Sequence, residues 1–109
     1  MKIFMALWWV LLALGGQAQT PRFCSLHGSV YITNNRAQAD FIVYEEDSEA
    51  FADFLVYEEE NRLYATEEGV WFFVDNPGLA DFIIFLAPTK NEADFVIAYT
   101  DSPTFAGCN

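Results

Sequence analysis

A thirteen-residue repeat runs through most of this chain of 109 residues. The segments "DFIVYEE" from Asp40 and "DFLVYEE" from Asp53 nearly copy one another, and the same unit recurs when the sequence from Gly28 is cut every thirteen residues. Six units follow in phase, except that Glu67 and Glu68 stand as two extra residues after the third unit. A unit this short cannot bury its own apolar side chains, so the repeats must share one continuous core.

Each unit has the same internal pattern. It begins with β-branched, aromatic and apolar residues, as in "FIIFL" and "VWFFV", which predicts a strand buried on both faces. The eighth position is Asn, Ser or Thr, which favours a helix N-cap, and Pro77 and Pro103 directly follow it in two units. The twelfth position is alanine in all six units, and the thirteenth is aspartate in four. We expect the small alanine to let a helix of one or two turns lie close to the sheet.

The repeat therefore predicts an α/β fold with a single small domain of six strand–short-helix units. Neighbouring units are expected to pair as a parallel sheet through right-handed crossovers, which gives a solenoid-like right-handed coil. In this scheme residues 28–109 are the β-α repeat domain, and residues 19–27 are an N-terminal arm.

The first eighteen residues have the pattern of a secretory signal peptide. Lys2 precedes the apolar run "IFMALWWVLLAL", and the small residues Gly16 and Ala18 follow at the spacing of a cleavage site after Ala18. The alternative is an uncleaved anchor, but the apolar run is shorter than the ~20 residues of a membrane-spanning helix. We therefore expect a periplasmic or secreted protein that has no contact with the membrane after cleavage.

The acidic balance excludes one class of partner. The chain has a formal net charge of −11, with 16 acidic side chains against 5 basic ones. A polyanion repels nucleic acid and anionic lipid and attracts cationic partners. The simpler interpretation is that the acidity only keeps an exported protein soluble.

The two cysteines, Cys24 and Cys108, bracket the repeats. In an oxidising compartment an even pair predicts a disulfide, and the alternative is two reduced thiols packed in terminal caps. A straight stack of six parallel strands spans about 24 Å, whereas a disulfide requires Cα atoms within about 7 Å. Either the coil bends or closes, or the arm before Cys24 folds back, or the two cysteines are not bridged.

Several segments carry a resemblance to a known family. The segment "FCSLHGSVYITNNRAQADF", the "AD" and "ADF" motifs followed by "VY" and acidic residues, and the closing "FAGC" span Cys24 to Cys108. The chain resembles a family of small exported bacterial proteins of unknown function that are built from short β-α repeats. The resemblance implies a repeat fold and an exported location, and it implies no activity or catalytic residue. The third unit departs from the pattern, with "ATEEG" in place of "AD".

The fourth position of the units predicts an aromatic ladder. In a parallel stack its side chains would lie on one face of the sheet. If helices cover only the other face, the ladder is an exposed apolar patch that binds a protein partner or a second copy. The alternative is that the helices or a second copy bury it. The residues of this aromatic ladder are Tyr31, Tyr44, Tyr57, Phe72 and Phe85.

Acidic side chains form the second candidate site. Glu45 and Glu46 of one unit match Glu58 and Glu59 of the next, and a stack would place them side by side. Calcium takes oxygen ligands of this kind, although no EF-hand loop is present, and a solvated strand edge is the simpler interpretation. A weaker candidate is His27 with Cys24, as zinc ligands or as a base and a thiol nucleophile.

These patterns favour a non-enzymatic binding or structural module over an enzyme. We expect no cofactor, and either a protein partner or self-association through the ladder or the acidic units. A calcium-binding or calcium-stabilised exported protein is the alternative. No phosphate-binding glycine loop, GxSxG, HExxH or CxxC motif is present in the sequence.

Overall fold

The computed structural model describes residues 21–109, so the predicted signal peptide at residues 1–18 lies outside the described range. Seven strands alternate with seven 3₁₀ turns. The strands are β1 (Gly28–Thr33), β2 (Phe41–Glu45), β3 (Phe54–Glu58), β4 (Val70–Val74), β5 (Phe82–Leu86), β6 (Phe95–Tyr99) and β7 (Gly107–Cys108). The turns are η1 (Arg22–Ser25), η2 (Arg36–Gln38), η3 (Glu49–Phe51), η4 (Arg62–Tyr64), η5 (Pro77–Leu79), η6 (Lys90–Glu92) and η7 (Pro103–Phe105). Within this range no helix is long and apolar enough to cross a membrane.

The segments predicted as short helices are single 3₁₀ turns, so the helical part of the α/β prediction is wrong. In η2 the Asn35 side chain accepts a hydrogen bond from the Ala37 N–H, as an N-cap does. Ala39 is already extended, with φ −80° and ψ 140°, so the chain has room only for the tighter 3₁₀ hydrogen bond. The same cap is present at Asn61, Asn76 and Ser102, whereas Ser48 and Thr89 make no cap hydrogen bond.

The six long strands form a closed parallel barrel. Around it the strands follow the order β4-β1-β5-β2-β6-β3, and β3 pairs with β4 to close the ring. The predicted parallel pairing is confirmed. The predicted solenoid is wrong, because most consecutive units are not neighbours: the crossover from β1 to β2 skips β5. Closure pairs both edges of every long strand, whereas a solenoid would leave two edges open.

The chain runs twice around this barrel. Strands β1, β2 and β3 take alternate positions in the first lap, and β4, β5 and β6 fill the gaps in the second. Each step between long strands spans two positions, except the step from β3 to β4, which spans one. Without that single step β4 would arrive at the position of β1. The extra residues Glu67 and Glu68 lie in this step.

The entry of β4 beside β3 leaves no room for a side chain. Gly69 has φ +78°, a conformation that favours glycine. A Cβ there would stand 2.2 Å from the Gly107 nitrogen and 2.6 Å from the Leu55 oxygen. Strand β7 fills the remaining space by pairing antiparallel with the beginning of β3.

Layers of inward-facing side chains fill the barrel interior, and the middle and lower layers form its core. Each parallel pairing sets the third residue of one unit opposite the first of its neighbour, as in Val30 opposite Phe82, so the strands tilt strongly. The third positions form a middle layer, and each of its members is 0% exposed: Val30, Val43, Val56, Trp71, Ile84 and Ile97. Below lie Phe41, Phe54, Phe82 and Phe95, and Phe23 from η1 stacks on Phe95 with ring centroids 4.3 Å apart.

The repeated aspartates connect neighbouring strands by hydrogen bonds at the lower end of the barrel. Each of the four carboxylates accepts a hydrogen bond from a backbone N–H of the neighbouring strand, at 2.7 to 2.9 Å. The aspartate N–H in turn donates to the carbonyl of that same residue. The pairs are Asp40 with Ile83, Asp53 with Val96, Asp81 with Ser29, and Asp94 with Ile42. The "AD" motif is therefore explained by strand registration, without a ligand.

The disulfide between Cys24 and Cys108 is confirmed, with Cα atoms 5.2 Å apart. Two of the geometries left open by the sequence occur together. The sheet closes on itself, and the arm folds under the barrel, where the Leu26 carbonyl accepts hydrogen bonds from the Trp71 Nε1–H and the Gly69 N–H. The two ends of the repeat region therefore meet beside β3 and β7.

Candidate functional site

The predicted aromatic ladder lies on the outer face of the barrel, but its members are not stacked in sequence order. The barrel order places Phe85 between Tyr31 and Tyr44, and Ala98 between Tyr44 and Tyr57. The ladder side chains are half-buried, because crossover turns lie over the strands. The expected stack of adjacent units is therefore wrong, since adjacent units are separated by a strand of the other lap.

The crossover turns carry the exposed apolar side chains instead. Turn η3 packs on β6, η7 on β3, η4 on β4 and η5 on β1, and these four strands are consecutive around the barrel. Their large apolar side chains are 59–73% exposed. We call this surface the apolar half-belt, and its residues are Phe51, Leu63, Tyr64, Leu79 and Phe105.

Turns η2 and η6 form a polar side. Turn η6 packs on β2, and η2 crosses the neighbouring β5. Arg36 of η2 forms an ion pair with Glu92 of η6, and the Arg36 hydrogen bond lowers the pKa of Glu92. Arg36 also covers a ladder residue, since its guanidinium carbon lies 5.0 Å from the Phe85 ring centroid.

Lys90 completes this cover. Its ammonium forms an ion pair with Glu46 at 3.1 Å and lies 5.9 Å from the Tyr44 ring centroid. The hydrogen bond from Lys90 lowers the pKa of Glu46. Both ion pairs recorded within residues 21–109 are thus on the polar side, and the acids near the apolar half-belt lack this compensation.

Strand β4 has a groove on its outer face, and η4 is the turn that packs on this strand. The step that leads to it skips no strand, so no two-strand crossover lies over it as η5 lies over β1. A groove of about 490 Å³ opens there, and we call it the β4 groove. It is lined by Phe72, Phe73, Val74, Asp75 and Leu79. Phe72 is a ladder residue that lines this groove.

A second groove lies between η7 and the connection from β3 to β4. It also measures about 490 Å³, and we call it the acidic groove. Its lining residues are Glu67, Glu68, Pro103, Thr104 and Ala106. Among the described residues the Glu67 and Glu68 carboxylates take part in no recorded hydrogen bond or ion pair.

The acidic residues proposed as calcium ligands are not side by side. Strand β6 stands between β2 and β3, so Tyr99 separates Glu45 from Glu58 at the upper mouth of the barrel. Glu46 points to Lys90 on the outside. The stacking assumed for a calcium site is therefore wrong, and no group of three metal-ligating side chains is found in the described range. Calcium binding itself stays a prediction.

The weak candidate at Cys24 and His27 is also changed. Cys24 is oxidised in the disulfide, so it has no thiolate to serve as a zinc ligand or a nucleophile. His27 Nδ1 lies 3.0 Å from the Ser25 carbonyl oxygen on the exposed arm.

Tyr99 has a perturbed environment at the mouth. Tyr99 is 41% exposed, and the partial burial of its side chain is the main reason that its pKa is raised. The hydrogen bond of its hydroxyl to Glu45 Oε2 at 2.6 Å adds to the shift. A phenol beside two carboxylates resists ionisation because its anion would be repelled. Phe73 and Leu86, which pack against the core, complete an apolar side of the mouth.

The Tyr99 environment predicts a loss of stability at alkaline pH. Tyr99 keeps its proton in the folded state, whereas the unfolded chain loses it near the usual pKa of about 10. The stabilisation is fully present below that pH and is lost as the pH rises through and beyond it. Unfolding free energies measured between about pH 8 and 11 should fall less steeply for Tyr99→Phe than for the wild type. An unchanged slope in this variant would show that Tyr99 does not cause the loss.

Most of the chain matches one family. The family is described as the 7(1) septoil knot domain (Septknot), and the match covers residues 23–109. The chain belongs to this family. In knot notation 7(1) denotes a curve of seven crossings that runs twice around an axis, and the strand order of this septoil knot domain likewise makes two interleaved laps. Among curated proteins and solved structures, none matches the chain closely enough to count as a relative.

Sequence reasoning missed the apolar half-belt of this septoil knot domain. Its residues occupy the tenth and eleventh positions of the units, which are apolar in some units and polar in others. The sequence does show that the eleventh position is apolar in some units and polar in others. It is apolar at Phe51, Leu79 and Phe105, and polar at Gln38 and Glu92. Only the barrel order shows that the apolar members are neighbours.

Proposed function

We propose that this septoil knot domain is an exported, non-enzymatic binding module that holds a basic protein partner on its apolar half-belt. The observation that carries the proposal is the clustering of five large, exposed apolar side chains on four consecutive turns. Large apolar side chains exposed on several neighbouring turns favour an interaction that covers them. Aromatic anchors such as Phe51 and Phe105 are typical centres of protein interfaces.

The charge around the half-belt favours a basic partner over a second copy. Exposed acids surround it, and Arg62 of η4 is the basic residue within these four turns. Two copies that met through this surface would bring like charges together, whereas Lys and Arg side chains of a partner would be attracted. The acids are Asp47, Glu49, Glu60, Glu67, Glu68, Asp75 and Asp101.

Two features support export. The Cys24–Cys108 disulfide is of the kind that persists in oxidising compartments. The apolar run before Gly16 and Ala18 has the composition of a secretory signal peptide. A periplasmic or secreted binding module would meet its basic partner outside the cytoplasm.

The binding surface can be tested with a synthetic probe. The probe is a fluorescent amphipathic helix of about 18 Leu and Lys residues, which presents an apolar stripe flanked by cations. The protein is expressed as the full chain in an exporting host. The triple variant Leu63→Ser, Leu79→Ser, Phe105→Ser should bind the probe at least about tenfold more weakly than the wild type, because interface anchors contribute more than about 1 kcal/mol each. Fluorescence anisotropy measures the Kd.

A matched variant changes the polar side. Asn34→Ser, Ala37→Ser, Asn91→Ser replaces exposed residues beside η2 and η6 and should bind as the wild type does. Melting temperatures should stay close to that of the wild type in both variants, since all replaced side chains are exposed. Equal probe affinity in both variants would contradict the proposal. A wild-type dimer that the triple variant dissolves, measured by light scattering, would replace the basic partner by a second copy.

A further inference from the structure

We infer that the partner docks at the junction of β3 and β4, with an apolar side chain in the β4 groove and an adjacent Lys or Arg in the acidic groove. This inference rests on the proposed function and deepens it, because it selects one place on the apolar half-belt. It also specifies the partner segment as one that carries an apolar residue next to a cation.

At the junction of β3 and β4 the thirteen-residue repeat is interrupted, and the chain advances by one strand position instead of two. A chain that circles a six-strand barrel twice needs one single-strand step, and the two extra residues Glu67 and Glu68 lie in that step. Because of this step η4, and no two-strand crossover, lies over β4, and the β4 groove is on the outer face of this strand beside Leu79 of η5. The same connection supplies the carboxylates of the acidic groove. The acidic groove therefore lies at the connection that enters β4, and the β4 groove lies on that same strand.

The β4 groove fits an apolar side chain. Phe72, Val74 and Leu79 supply most of its lining, and Leu79 is 59% exposed beside it. Its volume of about 490 Å³ lies within the usual range of ligand sites, which is about 300–1,000 Å³. On the polar side the corresponding outer face is closed, since Arg36 lies on Phe85 and Lys90 lies on Tyr44. Among the described residues no cation lies on the Phe72 ring, so an apolar side chain of a partner can reach it.

The acidic groove favours a positively charged side chain of the partner. The Glu67 and Glu68 carboxylates are both exposed and face a groove without a basic lining residue. Adjacent carboxylates repel each other, and a partner ammonium or guanidinium relieves this repulsion. The junction is also the place of the shortest parallel pairing in the barrel, since β3 and β4 join only two residue pairs.

The test compares two ends of the same half-belt. At the junction the variants are Glu67→Gln with Glu68→Gln, and Leu79→Ser. The matched controls at η3 are Asp47→Asn with Glu49→Gln, and Phe51→Ser, which remove the same charge and a comparable apolar side chain. The probe is the same Leu–Lys helix, and the readout is its Kd by anisotropy.

Each junction variant should weaken probe binding at least about tenfold, and each η3 variant should weaken it at least about fivefold less than its junction counterpart. The loss in the Glu67 and Glu68 variant should shrink at high salt, because wild-type binding itself then loses its charge contribution. Equal losses at both ends would overturn the junction and leave the proposed function in place. No loss in the triple half-belt variant would instead refute the proposed function.

Two other occupants of the β4 groove would also overturn the inference. A wild-type dimer that Leu79→Ser dissolves in light scattering would assign the groove to a second copy. Probe binding by the processed chain, together with none by a chain that retains residues 1–18, would assign it to the chain's own apolar leader. Binding by both forms, lost on Leu79→Ser, is the expected result.

Discussion

Gly69→Ala should destabilise the fold by at least about 3 kcal/mol, and the variant is expected to be unfolded or close to it at 37 °C. The added methyl group would stand 2.2 Å and 2.6 Å from backbone atoms of Gly107 and Leu55, which cannot move aside as a flexible side chain can. The φ of +78° adds conformational strain for any residue with a Cβ. Chemical denaturation followed by circular dichroism measures the loss.

Gly78→Ala is the matched control for this glycine. Gly78 lies in the exposed turn η5, and a Cβ there would meet only the Asn76 Oδ1 at 3.3 Å. It should change the unfolding free energy by less than about 1 kcal/mol. Similar unfolding free energies for the two alanine variants would show that the entry of β4 is looser than described.

Trp71→Ala should cost about 3–5 kcal/mol, the usual range for removing a buried aromatic side chain. Trp71 is 0% exposed in the middle layer and contacts the Phe54, Phe73 and Phe82 rings, with centroids 5.2 to 6.1 Å apart. Its loss also frees the arm, because Trp71 Nε1 donates to the Leu26 carbonyl at 3.1 Å. Thermal unfolding should show a melting temperature lower by at least about 12 °C.

Trp71→Phe separates the ring from its hydrogen bond. Phenylalanine keeps most of the apolar volume and loses the donor, and the Leu26 carbonyl still accepts from the Gly69 N–H at 2.9 Å. We therefore expect Trp71→Phe to cost less than half as much as Trp71→Ala. Equal losses in the two variants would mean that the hydrogen bond to the arm, rather than ring packing, dominates.

The unit of this fold could be predicted from the sequence because its determinants are local. The strand positions follow from apolar runs such as "FIIFL", and Asn35 caps its turn as its place in the unit predicts. Parallel pairing follows from the crossover that joins every pair of long strands. The disulfide follows from two cysteines in a chain whose sequence predicts export.

The neighbour order could not be predicted, because thirteen residues can reach either the next strand or the one beyond it. The pattern within a unit is the same for both steps, so an open stack and a two-lap barrel share one sequence signature. The extra residues Glu67 and Glu68 were visible as a slip in the repeat. Their effect, a change from a two-strand to a one-strand step, depends on the closure of the whole barrel.

The same non-local order decides the candidate site. Tyr31, Tyr44 and Tyr57 were expected to stack because their units are consecutive, and the second lap separates them. Glu45 and Glu58 were expected to meet, and Tyr99 lies between their strands. Conversely, Leu79 and Phe105 are 26 positions apart in sequence and belong to turns on one side of the barrel.

The Cys24–Cys108 bond makes the two-lap path a property of the covalent molecule. Residues 24–108 form a closed ring, and a ring cannot change its threading unless a bond is cut. A strong denaturant can therefore remove every strand of the oxidised chain while the second lap stays interlaced with the first. The unfolded, oxidised chain therefore retains its native topology, and only reduction of the disulfide removes this constraint.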